Sequence, residues 1–452
     1  MKSRLIVAAA ILLLGTPLAA QETSLTLFSS GRVLVRRTLP ISLPAGSTTL
    51  PLALGMMSPS DFAVLEPGVT LQRLAFDPAY GEDALLRRNL GQRFMIRRGV
   101  EPPFPAVLVS MDPERWEHPN MGIIFGRPGQ VIWPKELVPG GPSAVATLKS
   151  DRAHQGVKVM YATNGANWGA NYRLYLGAAG RVEGAAMINS GTLEFTAAEV
   201  QLLAGDIGTP AYPTAPARNY AMAAKVAESS MDGSGASEEA VGEARLYTLP
   251  GRVSFTPGTQ LVMPLFDPAP AKAERRFSLS GALPYWGGFG QMEDEQEVPV
   301  EVAYRLERKL ATPFGDLPLP GGSVQVFDAD KSGRLQLIGQ GSIGHTAPGE
   351  ELMVRTGTAF DVTARRTQTD FTTSRSTTSP TRTIAMVTFK VALQNAKDSA
   401  VIVDVREDRG GEWSVVESSV APQKRSSTRV VFPVTVPAKG KATLTYRVRI
   451  VW

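Results

Sequence analysis

Alternation of apolar and polar residues is the dominant pattern along this chain. It is clearest near the end, where every second residue is apolar or aromatic in three runs: Val387, Phe389, Val391 and Leu393; Val401, Val403 and Val405; and Leu444, Tyr446, Val448, Ile450 and Trp452. Successive side chains of an extended chain point to opposite faces, so these runs predict strands with one buried face. Residues 385–452 are therefore predicted to form an antiparallel β-sandwich of immunoglobulin type.

The middle of the chain carries the same two-residue period: Val157, Val159 and Tyr161; Trp168, Tyr172, Leu174 and Leu176; and Val200, Leu202 and Ala204. We predict a central β domain over 146–362. Prolines and an Ala-, Ser-, Gly- and Glu-rich stretch interrupt it, which predicts a flexible insert at about 208–244. A Thr-, Ser- and Arg-rich segment at 363–384 is predicted to separate this domain from the last one.

The region before the central domain is predicted to be an N-terminal β domain, 21–145, with one short helix. Short apolar runs alternate there with Gly, Pro and Ser, which favours strands and turns. The helix is expected from Glu82 to Leu90, because Leu85, Leu86 and Leu90 share one face and Gly91 follows as a stop signal. The whole chain is thus predicted to be mainly β with minor helix, arranged as several antiparallel β-sandwiches.

The first twenty residues have the pattern of a secretory signal peptide. Lys2 and Arg4 precede an unbroken apolar run from Leu5 to Leu14, and small residues follow before Gln21. The run is shorter than the roughly 20 residues that a membrane-spanning helix needs. We therefore expect cleavage, a periplasmic or secreted mature chain, and no transmembrane segment after signal cleavage.

Composition excludes several classes of function. Of 452 residues, 432 remain after the signal, with 45 basic and 42 acidic side chains, which is too small a bias to predict nucleic-acid binding. The chain has no cysteine, which rules out disulfides, thiolate catalysis and cysteine-ligated metals. No phosphate-binding loop or dinucleotide fingerprint occurs. We predict no cofactor.

Histidines limit the chemistry further. The three of them, His118, His154 and His345, lack the spacing of zinc-enzyme motifs, and no GxSxG elbow is present. Each is expected at the surface or in a local bond. The sequence therefore predicts no catalytic residue and no metal ligand, although a catalytic triad assembled in space stays open.

Two acidic stretches resemble cation sites. Asp328 to Gly333 begins like a calcium loop, but its twelfth position is Gly339 where a bidentate Glu is needed, so a hairpin turn is expected. The acidic cluster at 293–297 is expected to be a solvated loop rather than a cation site.

Three aromatic residues form the candidate binding site: Tyr285, Trp286 and Phe289, which lie among glycines. Exposed aromatics on a loop stack on sugars or anchor a protein partner. The alternative is that they cover the core of their own domain.

Four ordered sets of motifs together carry a family resemblance: Asn167–Tyr172 with Val200–Gly205; Leu246–Leu249 with Pro264–Phe266; Leu317–Gly322, Val324–Asp328, His345–Glu350 and Gly357–Val362; and Val391–Asn395 with Tyr446–Val448. In this order and spacing they resemble the mucoidy-inhibitor-A-like proteins, a family defined by a conserved domain of unknown function. The turn after Asn189 is shorter than in that family, and the long coiled coil of some relatives is absent. The resemblance implies an envelope location and a link to surface polysaccharide, with no catalytic residues to transfer.

These observations predict an exported, envelope-associated, non-enzymatic interaction or scaffold protein. Its partner is expected to be an envelope protein or polysaccharide. Two alternatives stay open: a periplasmic hydrolase acting on envelope glycans or peptides, and a secreted assembly factor. A hydrolase would need paired carboxylates in a cleft, or a histidine that meets both a carboxylate and a hydroxyl.

Overall fold

The computed structural model describes residues 22–78, 81–205, 236–241, 244–281, 295–375 and 382–452. Strands make up 64% of the described residues and helix 3%, arranged in several mainly antiparallel sheets, so the all-β prediction is confirmed. The predicted signal peptide and most of the predicted insert lie outside the described residues. Of the insert, residues 237–241 form a strand. Within the described part of the chain, no helix has the length and apolar character needed to cross a membrane.

The elements of the first half are, in chain order, β1 (Thr23–Phe28), β2 (Arg32–Leu39), β3 (Gly46–Leu52), β4 (Ser58–Val64), β5 (Val69–Asp77), α1 (Glu82–Arg88), β6 (Arg93–Arg97), β7 (Phe104–Met111), β8 (Glu114–His118), β9 (Gly122–Phe125), β10 (Gln130–Ile132), a 3-10 turn (Lys135–Leu137), β11 (Ser143–Ser150), β12 (Val157–Asn164), β13 (Asn167–Tyr175), β14 (Arg181–Asn189) and β15 (Phe195–Ala204).

The strands of the second half are β16 (Ser237–Val241), β17 (Ala244–Phe255), β18 (Gln260–Pro270), β19 (Ala273–Ser280), β20 (Gln296–Val298), β21 (Glu301–Leu306), β22 (Gly322–Ala329), β23 (Leu335–Ile343), β24 (Leu352–Thr358), β25 (Val362–Arg375), β26 (Thr383–Asn395), β27 (Val401–Asp408), β28 (Glu412–Ser418), β29 (Gln423–Lys424), β30 (Arg429–Val436) and β31 (Lys441–Val451).

The chain divides into two units. The first holds the described residues up to Asn167, with Asn189–Leu203 and Gly251–Thr259. Its largest sheet contains the neighbouring strands β15-β1-β2-β12-β4, in which β1 runs parallel to β15 and antiparallel to β2. The alternating residues predicted to face a core are buried there: Val157, Val159 and Tyr161 in β12, and Val200 and Leu202 in β15.

A small five-stranded sheet is inserted into the first unit between β5 and β11, which themselves pair in the three-stranded sheet β3-β11-β5. The inserted sheet has the antiparallel order β10-β6-β7-β8-β9. Helix α1 packs on one of its faces through Leu86, which is fully buried. Acidic residues in the first turn and basic residues in the last suit the helix dipole.

Helix α1 ends earlier than the sequence predicts. Its last helical residue is Arg88, because the side chain of Asn89 bonds the carbonyl of Leu85 and caps the final turn. Leu90 is therefore half exposed rather than part of the buried helical face. Gly91 follows with a positive φ of 83°, as expected for a stop signal.

The second unit contains the sheet β18-β14-β13-β22-β23 and a two-sheet sandwich. The hairpin turn predicted at Asp328 to Gly333 is confirmed between β22 and β23. There the Asp330 carboxylate accepts the backbone N–H groups of Ser332 and Arg334, at 2.8 and 3.0 Å. The carboxylate therefore stabilises a turn.

The sandwich packs the sheet β24-β21-β19-β27-β30-β29 on the sheet β20-β25-β26-β31-β28. The six strands from β26 onwards supply part of it, and five strands from before residue 376 complete both sheets. The prediction of a separating segment at 363–384 is wrong, since most of that segment is β25, paired with β26. Threonine favours strands, and Val362, Ala364 and Arg366 alternate toward the core.

Candidate functional site

The predicted aromatic site at Tyr285, Trp286 and Phe289 lies outside the described residues and remains a prediction. Of the acidic cluster, Glu293 and Asp294 also lie outside them. Glu295 forms an exposed ion pair of 3.0 Å with Arg365.

Two of the three histidines make local hydrogen bonds. His118 Nδ1 accepts the backbone N–H of Asn120 at 3.1 Å, and His345 Nδ1 accepts that of Gly321 at the same distance. Neither forms an ion pair with a carboxylate among the described residues. Each of these two rings therefore accepts a backbone hydrogen bond instead of facing a carboxylate.

His154 differs, because the structure buries it instead of leaving it at the surface. Its ring lies between two carboxylates, with Nδ1 3.6 Å from Glu66 and Nε2 3.7 Å from Asp151. A nearby hydroxyl, that of Ser150, donates instead to the carbonyl of Arg152 at 2.6 Å. Among the described residues no hydroxyl hydrogen-bonds to His154 Nε2, so this cluster is not arranged as a hydrolytic triad. Within the described ranges, no group of three or more His, Asp or Glu side chains is arranged to hold a metal ion.

The second unit has a cleft of about 510 Å³ lined by charged side chains. Each of its cations already faces an acid: Arg275 with Asp328 at 3.9 Å, Arg276 with Glu274 at 3.0 Å, and Lys397 with Asp361 at 2.9 Å. The cleft therefore offers no uncompensated charge for an ionic ligand.

A second charged cluster lies inside the sandwich, where Arg366 Nη2 donates to Glu407 Oε1 at 3.0 Å. Tyr446 donates to the same carboxylate, and the Arg366 guanidinium lies 3.8 Å from the ring centre of Phe389. Burial, and then the charge of Glu407, raise the pKa of Tyr446 well above its ordinary value. Because Arg366 is 5% exposed and Glu407 0%, no substrate reaches this pair, and its role is structural.

The two faces of the inserted five-stranded sheet differ in burial: one packs on a core and the other is exposed to solvent. The inner face is fully packed: Leu86, Phe94, Ile96, Ala106, Leu108, Trp116 and Val131 form its core. The opposite side chains of the same strands form what we call the outer face: Met95, Ile132, Val107, Ile123 and Phe125, with Arg93, Arg97, Arg115 and Glu117. Met95, Ile123 and Phe125 are 42%, 49% and 72% exposed. The sheet therefore presents apolar side chains to water at its two sides: Met95 and Ile132 on the neighbouring strands β6 and β10, and Ile123 and Phe125 on β9.

Arginines on the outer face lack carboxylate partners. No ion pair within the described residues involves Arg93, Arg97 or Arg115, whereas most arginines elsewhere in those ranges are paired. Arg115 lies over the Phe125 ring, 6.0 Å from its centre. With Glu117 as the single acid, the face carries a net charge of +2. The outer face thus combines apolar surface with available positive charge.

Arg127 fixes the end of β9 that bears this surface. Its guanidinium bonds Glu114 of β8 at 2.9 Å and Glu82 and Asp83 of α1 at 2.7 Å each. Burial alone would raise the pKa of Glu114, but hydrogen bonds from Arg127 and Trp116 outweigh it and hold the pKa below its ordinary value. The β9–β10 turn is thereby tied to both the sheet and the helix.

Sequence reasoning did not identify the outer face. The available signal is that Phe94-Met95-Ile96 and Ile123-Ile124-Phe125 are apolar at both parities. Such runs normally indicate strands buried on both faces. Here only one parity is packed in the core, and side chains of the other parity are exposed.

Comparisons with known proteins do not place the chain in a family. No protein-family model matches it, and neither does any curated protein.

Proposed function

We propose that this chain is an exported, envelope-facing, non-enzymatic interaction protein that binds a protein partner through the outer face. The observation that carries the proposal is the pair of exposed apolar side chains Ile123 and Phe125 on β9, beside Arg115, which forms no ion pair among the described residues. Protein interfaces are enriched in Met, aromatic residues and Arg, and depleted of Lys, Glu and Asp in their centres. The outer face has this composition.

A partner of acidic and apolar surface fits best. The net charge of +2 favours a negatively charged partner, and opposite charges at the rim speed association. A glycan would need polar side chains for its many hydroxyl groups, whereas this face offers aliphatic side chains and guanidinium groups. Of the two expected kinds of partner, an envelope protein and a polysaccharide, these features support the protein.

Export and family membership belong to the same proposal. Support for export comes from Lys2, Arg4 and the apolar run that follows them, the pattern of a cleaved signal. Support for membership of the mucoidy-inhibitor-A-like family comes from the order and spacing of the four motif sets. N-terminal sequencing of the mature protein tests the first point: a chain that begins at Gln21 supports export, and an intact Met1 contradicts it.

The binding proposal is tested by photocrosslinking in cells, with a photoreactive phenylalanine analogue at position 123 or, as control, at position 402. Ile123 and Ile402 are the same residue type, are 49% and 51% exposed, and lie in strands of different sheets. We expect a protein adduct at position 123 that weakens in the R93E/R97E background, and none at 402. Equal adducts at both positions would contradict the proposal.

A further inference from the structure

We infer that the partner contributes an extended segment of alternating apolar and acidic residues, which adds to the inserted sheet as a sixth strand along β9. This inference rests on the proposed function and specifies its binding mode. It is carried by the hydrogen-bonding edge of β9, a feature separate from the composition of the outer face.

β9 is the last strand of its sheet and pairs only with β8 among the described residues. Gly126 N donates to Glu114 O at 2.7 Å, which fixes the phase of this antiparallel ladder. Bonded pairs alternate with non-bonded pairs, so Ile124 faces β8, whereas Ile123 and Phe125 direct their N–H and C=O groups to the open edge. Two donors and two acceptors are therefore available to another strand.

The β9 edge is short, at four residues, but carries none of the charges or prolines that block strand addition. Natural edge strands carry charges, prolines or bulges that block pairing with another chain. In this protein β4 carries Pro59 and Asp61, and β18 carries Pro264 and Pro268. β9 reads Gly122-Ile123-Ile124-Phe125, with neither charge nor proline. An extended segment can therefore pair with β9 without burying a charged side chain of that strand.

Side chains beside the edge specify the occupant. Ile123 and Phe125 point to the outer face, so every second residue of an added strand would pack beside them. Strands lie about 4.8 Å apart, so the backbone of the added strand would lie roughly 10 Å from the backbone of β8. An acidic side chain on the added strand and the Arg115 side chain on β8 are together long enough to span that distance. The Arg115 guanidinium, lying over Phe125, is the cation that this acidic side chain would meet.

A second copy of this chain is a poorer occupant. Pairing β9 with β9 of another copy would bring two faces of net charge +2 together, and like charges across an interface are costly. The ion pairs of Arg127 with Glu82 and Glu114 hold the turn that follows β9. Because β9 is already ordered in this way, binding of an incoming strand has a lower entropic cost. Charge and rigidity together favour a partner strand that is apolar and acidic.

The test compares F125P with F125V in the chain that carries the photocrosslinker at position 123. Both variants lose the aromatic ring, but only proline also loses the N–H that points to the open edge, and proline is tolerated at sheet edges. We expect at least a tenfold lower adduct yield for F125P than for F125V. Circular dichroism and thermal melting confirm that both variants fold.

Equal yields from F125P and F125V would overturn strand addition while leaving binding through the outer face intact. Absence of any adduct in the unmutated background would instead overturn the proposed function. An adduct of twice the chain mass, or one of lipid alone, would overturn the assigned occupant. Should F125P fail to fold, amide exchange decides: binding of the captured partner must slow exchange at Ile123 and Phe125 at least tenfold, and unchanged exchange contradicts the inference.

Discussion

The sandwich of the second unit buries a charged pair between its sheets, whereas the five-stranded sheet of the first unit leaves apolar side chains in water. In the sandwich, Arg366 and Tyr446 both donate hydrogen bonds to Glu407, and Arg366 also donates to the Tyr446 hydroxyl. In the inserted sheet, Met95 and Phe125 touch no core. Buried charge is tolerated where its partners come from the same core, whereas an exposed apolar surface with no such partner is typical of an interaction site.

The largest expected effect comes from breaking the buried pair. E407L leaves the Arg366 guanidinium buried without a carboxylate, which costs about 3–5 kcal/mol of unfolding free energy. The double variant R366M/E407L should recover most of that loss, because an apolar pair removes the uncompensated charge. Urea denaturation of the three proteins measures this. A double variant as unstable as E407L would show that the pair is not the source of the loss.

Removing the Arg127 clamp should have a smaller effect, confined to the inserted sheet. R127M deletes charged hydrogen bonds to Glu114, Glu82 and Asp83, and we expect a loss of about 1–3 kcal/mol. Tryptophan fluorescence reports it, since Trp116 lies in this core and bonds Glu114 at 2.8 Å. Unchanged fluorescence and stability would show that the turn is held by other contacts.

The same clamp makes the inserted sheet sensitive to acid. The folded-state pKa of Glu114 lies below its ordinary value of 4.5, so its contribution is complete above that pH and is lost as the pH falls through the folded-state value. We expect R127M and the unmutated protein to converge in stability with decreasing pH below 4.5. A gap that stays constant down to pH 2 would contradict this assignment.

An exposed ion pair in the sandwich is the matched control for the buried one. Arg382 and Glu412 are 2.8 Å apart and each about half exposed. E412L should change stability by no more than about 1 kcal/mol, because water screens the pair. A loss comparable with that of E407L would mean that burial does not set the cost of losing a carboxylate in this sandwich.

The smallest effect on folding is expected at the outer face. M95S/F125S removes exposed apolar side chains that lie outside the core of the inserted sheet, so the stability of the isolated protein should change by about 0.5 kcal/mol or less. Crosslinking from position 123 should nevertheless fall sharply. A large loss of stability would show that these side chains belong to the core and would remove the distinction between the two regions.

Local patterns predicted the strands whose two faces differ in polarity. Val157, Val159 and Tyr161 alternate with less buried residues, so their strand was visible in the sequence. The segment at 363–384 was wrongly predicted to be a linker because its composition is rich in Thr, Ser and Arg. Its Arg366 is buried as the partner of Glu407, which lies 41 positions further along the chain, so no local pattern reveals it. The outer face was invisible for a related reason: a short run that is apolar at both parities does not reveal which parity lacks a cover.

The most direct test of the central claim uses the absence of cysteine from the chain. Single-cysteine variants I123C and I402C, similarly exposed in the two regions, are labelled with a maleimide in a native envelope preparation and as purified protein. We predict similar labelling of both when purified, and at least fivefold protection of position 123 alone in the envelope preparation. Equal labelling of position 123 in both states would contradict the account, because the outer face would then have no partner.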